Sequence, residues 1–147
     1  MSIFDLIRSD HAALRSLLNE ISLTKGDSLE RRRLFARLLQ AIQTHTVAEE
    51  RSLYTALMGW PEFTEDCRHY VIEHAEADEL LQDLEYEDMS HPCWKIKFYR
   101  LRHVLERHME EEEQHMLPSA EQMVSHPQAE YLSGIYCSRK RGLQKVA

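Results

Sequence analysis

Apolar residues recur at intervals of three and four along most of the 147-residue chain, and this is the period of an α-helix. The first such run opens with Ser2 and has Asp5 three positions later, a capping-box arrangement that predicts a helix over residues 3–22. No segment shows the alternation of a β-strand. Three more helices are predicted: one that starts after Asp27 or Ser28 and ends at Gly59–Pro61, one over about residues 62–87, and one that starts at Ser90–Pro92 and ends or kinks at Pro118.

Four long helices joined by short connections pack most simply as antiparallel neighbours. The sequence therefore predicts an all-α fold, an up-down-up-down antiparallel four-helix bundle over residues 1–120. Residues 121–147 are predicted to form a short C-terminal helical extension, as one or two helices broken at His126–Pro127, packed on the same domain. The residues expected to supply its packing face are Tyr131, Leu132, Ile135 and Tyr136.

The charge distribution limits the classes of partner. The chain has 18 basic and 25 acidic residues, a net charge of −7. Four basic residues, Arg139, Lys140, Arg141 and Lys145, lie in the tail, and without them the chain carries 14 basic against 25 acidic residues, or −11. Such a body repels phosphate backbones and attracts cations, so no nucleic-acid partner is predicted.

The sequence also lacks the marks of a membrane protein. No apolar run reaches the roughly 18 residues that a spanning helix needs, and the N-terminus lacks the layout of a signal peptide. We therefore predict no membrane partner and a cytoplasmic location. The three cysteines, Cys67, Cys93 and Cys137, are odd in number and form no CxxC motif, so we expect free thiols rather than a disulfide framework.

Each predicted helix has a histidine in its apolar stripe. His11 lies between Ile7 and Leu14, and His74 lies among the apolar positions of the third helix. In the second and fourth helices the pattern His-x-x-x-Glu occupies the stripe. The six residues that face the predicted core are His11, His45, Glu49, His74, His108 and Glu112.

Burying four histidines and two carboxylates is unfavourable unless each is paired or bound to a cation. A single inward histidine usually has a packing role, and a single His-x-x-x-Glu pair is usually a solvated ion pair, but the combination favours a metal site. Residues four apart share one face of a helix, so each pair can place a nitrogen on one metal and extend its carboxylate to a second. Six mixed ligands are too many for one tetrahedral zinc. They suit two octahedral irons or manganese ions that share an oxo or hydroxo bridge.

The combined pattern resembles the hemerythrin-like, or HHE cation-binding, family over about residues 3–120. The motifs that carry the resemblance are Asp10-His11, HTVAEERSLY at 45–54, Glu73-His74 and HMEEEEQHMLP at 108–118. The resemblance implies two non-heme iron ions as cofactors. The implied ligands are His11 and His45 near one iron, His74 and His108 near the other, and Glu49 and Glu112 as bridges. Ligand type restricts but does not decide the metal, so manganese and zinc stay open.

The sequence departs from the oxygen-carrying hemerythrins at one position. Those proteins have a second histidine one turn after the histidine of the third helix, whereas this chain has Asp78. An acidic oxygen in place of a neutral nitrogen favours the ferric state, so reversible oxygen carriage is not the expected function. Three roles for Asp78 stay open: a metal ligand, an acceptor bonded to a ligand, or an exposed residue.

Other polar residues lie close to the predicted site in the sequence. Tyr54 and His115 fall near the inward faces of their helices, and Glu50 and Glu111 are further candidates. The remaining histidines are expected at the surface or at helix caps, and these are His69, His91, His103 and His126.

Three functions are compatible with these features. The leading hypothesis is a di-iron protein that binds, senses or detoxifies O2, peroxide or nitric oxide, or handles iron. The alternative is a small peroxidase, catalase-like enzyme or oxidase that uses the same centre. The third is a metal-dependent signalling bundle whose basic tail docks on a protein or an anionic surface, although the apolar residues of the tail favour packing on the bundle with its basic residues solvated. The sequence does not indicate which protein partner would bind.

Overall fold

The computed structural model describes residues 1–146, with side chains described as far as residue 144. Two π-helical turns, π1 (Glu50–Tyr54) and π2 (Glu112–Met116), interrupt the second and fourth long helices. The described residues contain no strand, so the prediction of an all-α fold is confirmed. The α-helices are α1 (Ile3–Ser22), α2 (Leu29–Glu49), α3 (Thr55–Leu57), α4 (Pro61–Tyr86), α5 (Pro92–Glu111), α6 (Leu117–Met123) and α7 (His126–Val146).

The helix ends follow the local chemistry of the sequence. The Ser2 hydroxyl accepts a hydrogen bond from the backbone N–H of Asp5 at 3.2 Å, and Ser28 caps α2 in the same way. Proline is the first residue of α4 and of α5. A backbone N–H at this position would have no acceptor within the helix, so the lack of one in proline costs no hydrogen bond. Gly26, with φ of +58°, provides the left-handed turn between α1 and α2. The predicted bounds of the first helix are therefore confirmed.

The four long helices pack around a core that is apolar at both ends and polar in the middle. Neighbouring helices pack as α1 on α2, α2 on α4, α4 on α5 and α5 on α1. One apolar cluster contains Ile7, Ala48 and Tyr70, and the other contains Leu14, Ile42 and Leu105. The inward histidines fall between these two clusters along each helix. The helical bundle predicted from the sequence is confirmed, and its polar layer lies at mid-height.

The C-terminal segment forms one helix longer than the sequence predicted. The 21-residue α7 lies against α1, α2 and π1 and buries Leu132 and Tyr136. Tyr131 is 70% exposed, so its expected part in the packing face is wrong. The side chain of Lys145 lies outside the described residues, and its expected solvation is untested. Within residues 1–146, none of the helices combines the length and apolarity needed to cross a membrane.

Candidate metal centre

The four inward histidines lie together in the middle layer, and the Nε2 atom of each lies near the carboxylate of Glu49 or Glu112. His45 Nε2 lies 3.7 Å from Glu49 Oε2, and His74 Nε2 lies 3.2 Å from Glu49 Oε1. His11 Nε2 and His108 Nε2 lie 3.7 and 3.5 Å from the two oxygens of Glu112. All six side chains are at least nine-tenths buried. The structure therefore brings together the residues that the sequence selected.

Five of these six side chains form two groups that share the carboxylate of Glu49. His11, His45 and Glu49 can each offer one ligand atom within 4.8 Å of the others, and so can Glu49, His74 and His108. Glu112 contacts one histidine of each group. The two groups of potential metal ligands are therefore adjacent, and both Glu49 and Glu112 contact histidines of each.

Each of these histidines has a carboxylate at its other ring nitrogen. The Nδ1 contacts are His11 with Glu113 at 3.2 Å, His45 with Asp10 at 3.1 Å, His74 with Glu50 at 2.8 Å, and His108 with Glu73 at 2.9 Å. A carboxylate accepts a hydrogen bond, so it favours the tautomer with the proton on Nδ1 and the lone pair on Nε2. Metal-binding histidines in proteins are commonly held in this way.

The four carboxylates also link the helices in a closed ring. Asp10 of α1 contacts the histidine of α2, and Glu50, which follows α2, contacts the histidine of α4. Glu73 of α4 contacts the histidine of α5, and Glu113, which follows α5, contacts the histidine of α1. Each acidic residue is the immediate sequence neighbour of an inward residue. We refer to these four contacts as the carboxylate ring.

Helix α7 adds a second set of contacts at His45. The Tyr136 hydroxyl donates to Asp10 and lies 2.8 Å from His45 Nδ1. Lys140 Nζ donates to Asp10 Oδ1 at 2.6 Å, so its expected solvation is wrong. Burial alone raises the pKa of Asp10, but His45, Lys140 and Tyr136 outweigh it and lower the pKa below its usual value. Asp10 is therefore held as an anion between α1, α2 and α7.

Tyr54 lies inside the site, as the sequence suggested. Its ring stacks on His74 with centroids 5.5 Å apart, and its hydroxyl donates to Glu112 Oε2. Burial, together with the charge of the nearby Glu112, raises the pKa of Tyr54 well above its usual value. The phenol therefore keeps its proton and acts as a hydrogen-bond donor.

Several buried atoms of this layer lack a hydrogen-bond partner. Among the described residues, seven buried side-chain nitrogen and oxygen atoms have none, and five of them belong to the six inward residues. These are His11 Nε2, His45 Nε2, both oxygens of Glu49 and Glu112 Oε1. Since unsatisfied buried polar atoms are unfavourable, their convergence fits bound cations. The donor set of imidazole nitrogen and carboxylate oxygen suits iron, manganese or zinc.

Burial and neighbouring charges shift the pKa values of the layer in different directions. Burial and the charge of Glu49 raise the pKa of Glu112 well above its usual value. Burial acts on Glu49 in the same direction, but His45 and His74 outweigh it and hold its pKa well below the usual value. Burial lowers the pKa of His74, whereas Glu49 and Glu50 raise it, to about 9. Protons held by Glu112 and His74 in the metal-free protein would have to leave before these two side chains could bind a cation.

Comparison with known proteins agrees with this geometry. The family model described as the hemerythrin HHE cation binding domain matches residues 2–120. The chain belongs to this family. A crystal structure of a hemerythrin HHE cation binding domain-containing protein from Mycobacterium kansasii is similar, with a TM-score of 0.87 and 24% identity. The match covers 99% of this chain and 89% of that one, and at this identity it establishes the fold alone. A search of curated proteins gave no match.

Two candidate residues of this HHE domain lie at the surface. Asp78 is exposed, and its carboxylate accepts a hydrogen bond from Gln82 at 3.1 Å. Of the three roles left open for Asp78, the structure therefore agrees with that of an exposed residue. His115 is also exposed, and its expected position near the inward face is wrong. The physical reason is π2: a π turn contains more residues than an α turn. His115, three residues after Glu112, therefore does not reach the inward face, and Met116 is buried in its place.

The remaining polar candidates divide between the site and the surface. Glu50 contacts His74 directly, whereas Glu111 lies on the outer side with His69. His103 and His126 are exposed, and His91 caps α5 by accepting from the N–H of Cys93 at 3.1 Å, as expected. The sequence did not identify Asp10, Glu73, Glu113 or Tyr136 as partners of the inward histidines, or Lys140 as a partner of Asp10.

Proposed function

We propose that this HHE domain holds two non-heme iron ions in its middle layer and uses them to bind or react with O2, peroxide or nitric oxide. The observation that carries the proposal is the pair of three-residue groups that share Glu49, together with the five buried atoms that have no protein partner. Iron would supply one-electron redox chemistry and affinity for small oxygen or nitrogen ligands. Manganese or zinc in the same donors is the alternative occupant.

The donor count supports small-ligand binding. We assign His11 and His45 to one ion, His74 and His108 to the other, and Glu49 and Glu112 to both. Two imidazole nitrogens and two carboxylate oxygens give each ion four protein donors, whereas an octahedral ion takes six. The exposed position of Asp78 adds no further donor. Positions therefore remain for a small molecule, and the apolar clusters on both sides keep bulk water out.

Metal content and spectra test the proposal. The protein would be purified without chelator, analysed for metal, and its ultraviolet-visible spectrum recorded reduced without air and again after exposure to air. We expect about two irons per chain and near-ultraviolet bands that develop on oxidation. His45→Ala should lower the iron content, whereas His103→Ala, at an exposed site on α5, should not. A single zinc, or no metal after reconstitution with ferrous iron, would contradict the assignment.

Peroxide turnover is a second candidate because Tyr54 holds a proton beside a proposed bridging carboxylate. In that case the Tyr54 hydroxyl would donate a hydrogen bond to peroxide bound in the layer. Steady peroxide consumption that falls in Tyr54→Phe would support an enzyme. Tyr70→Phe is the matched control, since Tyr70 is also buried and stacks on Tyr54 at 6.1 Å. A stoichiometric spectral change without turnover would support a sensor or binding protein.

We also propose that residues 121–147 belong to the same domain as the bundle, because Tyr136 contacts His45 and Lys140 contacts Asp10, the carboxylate beside His45. A tail that only docks on a partner would be removable without effect on the site. Deleting residues 138–147 takes away Lys140 and should reduce metal content. Unchanged metal content would favour the docking role.

A further inference from the structure

A second group of potential metal ligands lies on the outer side of α4 and α5. His69 Nε2 lies 3.4 Å from Glu73 Oε2 and 3.4 Å from Glu111 Oε2. One ligand atom from each of the three residues lies within 4.8 Å of the others. The side chains of His69 and Glu111 are 52% and 38% exposed, so an ion can reach them from solvent. We refer to these three residues as the outer cluster.

Glu73 distinguishes the outer cluster from an ordinary surface ion pair. Its side chain is only 3% exposed, and its Oε2 atom is buried without a hydrogen-bond partner. The nearest arginine or lysine side chain is Arg107, at 3.6 Å from Glu73 Oε2 and 3.7 Å from Glu111 Oε1. Both distances exceed a good hydrogen bond. The Arg107 side chain is 58% exposed, so it can withdraw without disturbing the core.

We propose that the outer cluster is a mononuclear site for a divalent first-row transition ion, separate from the buried centre. Its protein ligands would be His69 Nε2, Glu73 Oε2 and Glu111 Oε2, and water would complete the coordination from the open side. One imidazole and two carboxylates are a donor set that binds Zn²⁺ and its neighbours in the series. Arg107 competes with the ion for the same two carboxylates.

The outer cluster is joined to the buried layer by a single side chain. Glu73 Oε1 contacts His108 Nδ1 at 2.9 Å, while Glu73 Oε2 faces His69. An ion on Oε2 draws electron density from the carboxylate and weakens its hydrogen bond to the imidazole. Occupancy of the outer cluster is therefore expected to alter the donor strength of His108. The existence of the outer site does not depend on which metal, if any, fills the buried centre.

Calorimetric titration of the full chain with Zn²⁺ tests the proposal. The metal already present is quantified first. We expect one additional Zn²⁺ per chain in the unsubstituted protein. Since loss of even an indirect partner of a metal commonly lowers affinity about 10–100-fold, His69→Ala should weaken this binding at least about tenfold. His103→Ala, which removes an exposed histidine outside the outer cluster, should leave it unchanged. Arg107→Gln should tighten it by removing the competing cation.

Each alternative outcome has a distinct meaning. If the unsubstituted protein and His69→Ala bind the same number of Zn²⁺ ions with the same affinity, the outer cluster is an ion-pair network and the proposal is overturned. An unchanged affinity in Arg107→Gln would exclude the predicted competition. Glu49→Gln separates the two sites, because it should lower the buried metal content while the additional Zn²⁺ remains. Loss of the additional ion in Glu49→Gln, with the fold intact, would place that ion in the buried centre and overturn the outer site.

Discussion

Replacing Tyr136 with phenylalanine isolates the contribution of α7 to the buried layer. The change removes the hydroxyl that donates to Asp10 and lies 2.8 Å from His45 Nδ1. The ring itself remains, so the apolar burial of a side chain that is only 1% exposed is retained. Asp10 keeps Lys140 at 2.6 Å and His45 at 3.1 Å. The perturbation is therefore confined to the two contacts of this hydroxyl, with Asp10 and with His45, and Asp10 still has two partners.

The size of the effect follows from those remaining partners. A hydrogen bond to a charged group contributes about 1.5–3 kcal/mol to folding, and loss of one bond among three should lie at the lower end, about 1.5 kcal/mol in the metal-free protein. A less firmly held His45 should also bind metal more weakly. Partners that hold a metal-binding histidine in place are typically worth 10–100-fold in affinity, so we expect about a tenfold loss for the ion on that side.

Two measurements on the same variant check these values. Urea unfolding of the metal-free protein gives the change in folding free energy, and chelator competition gives the metal affinity. Tyr131→Phe is the matched control, because Tyr131 lies on the same helix and is 70% exposed. If Tyr136→Phe behaves like Tyr131→Phe in both assays, the reasoning is refuted. A loss of stability with unchanged metal affinity would restrict Tyr136 to a packing role.

The remaining predictions concern the core, the surface and acid stability. Leu38→Ala removes a side chain that is 0% exposed and should destabilise the protein by about 2–5 kcal/mol in urea unfolding, whereas Leu29→Ala, at 61% exposure, should have little effect. Asp78→Asn should leave the metal content unchanged, since a reduced content would mean that this residue reaches the site in solution. Burial raises the pKa of Glu113, but His11 and Arg15 lower it from 4.5 to about 2. The ionised Glu113 therefore stabilises the fold above pH 4.5, and this stabilisation is lost as the pH falls to about 2. In Glu113→Gln the free energy of unfolding should depend less on pH over that interval. A pH dependence parallel to that of the unsubstituted protein would contradict the assignment.

The sequence predicts the helices and the six inward residues because both depend on the same period. A residue such as His45 interrupts a stripe of apolar residues, and interruption of a regular pattern is visible without any tertiary information. The same argument located Tyr54. It failed for His115 because it assumed α-helical geometry throughout. The apolar spacing gave no warning of the π turns, since Leu53 and Met116 are each buried four residues after an inward glutamate, as in an α-helix.

Contacts between helices were harder to predict. Asp10 sits beside His11 in the sequence but contacts His45, 35 residues away. Adjacent residues on a helix point in different directions, so an acidic residue next to an inward one faces the neighbouring helix. That rule applies to all four members of the carboxylate ring, but using it requires knowing which helix is the neighbour. Tyr136 is harder still, because its contact depends on how α7 docks.

The carboxylate ring also has a direction, and this bears on the topology of the bundle. Apolar stripes alone are compatible with four helices that follow one another clockwise or anticlockwise around the axis, and with axial slips of one turn. The ring contacts run from α1 to α2, from there to α4, then to α5 and back to α1. In a bundle wound the other way, each carboxylate would point away from its histidine. Four polar contacts, one buried and three partly buried, would be lost together, so the residues that hold the imidazoles also select one winding and one register among the arrangements that the apolar core permits.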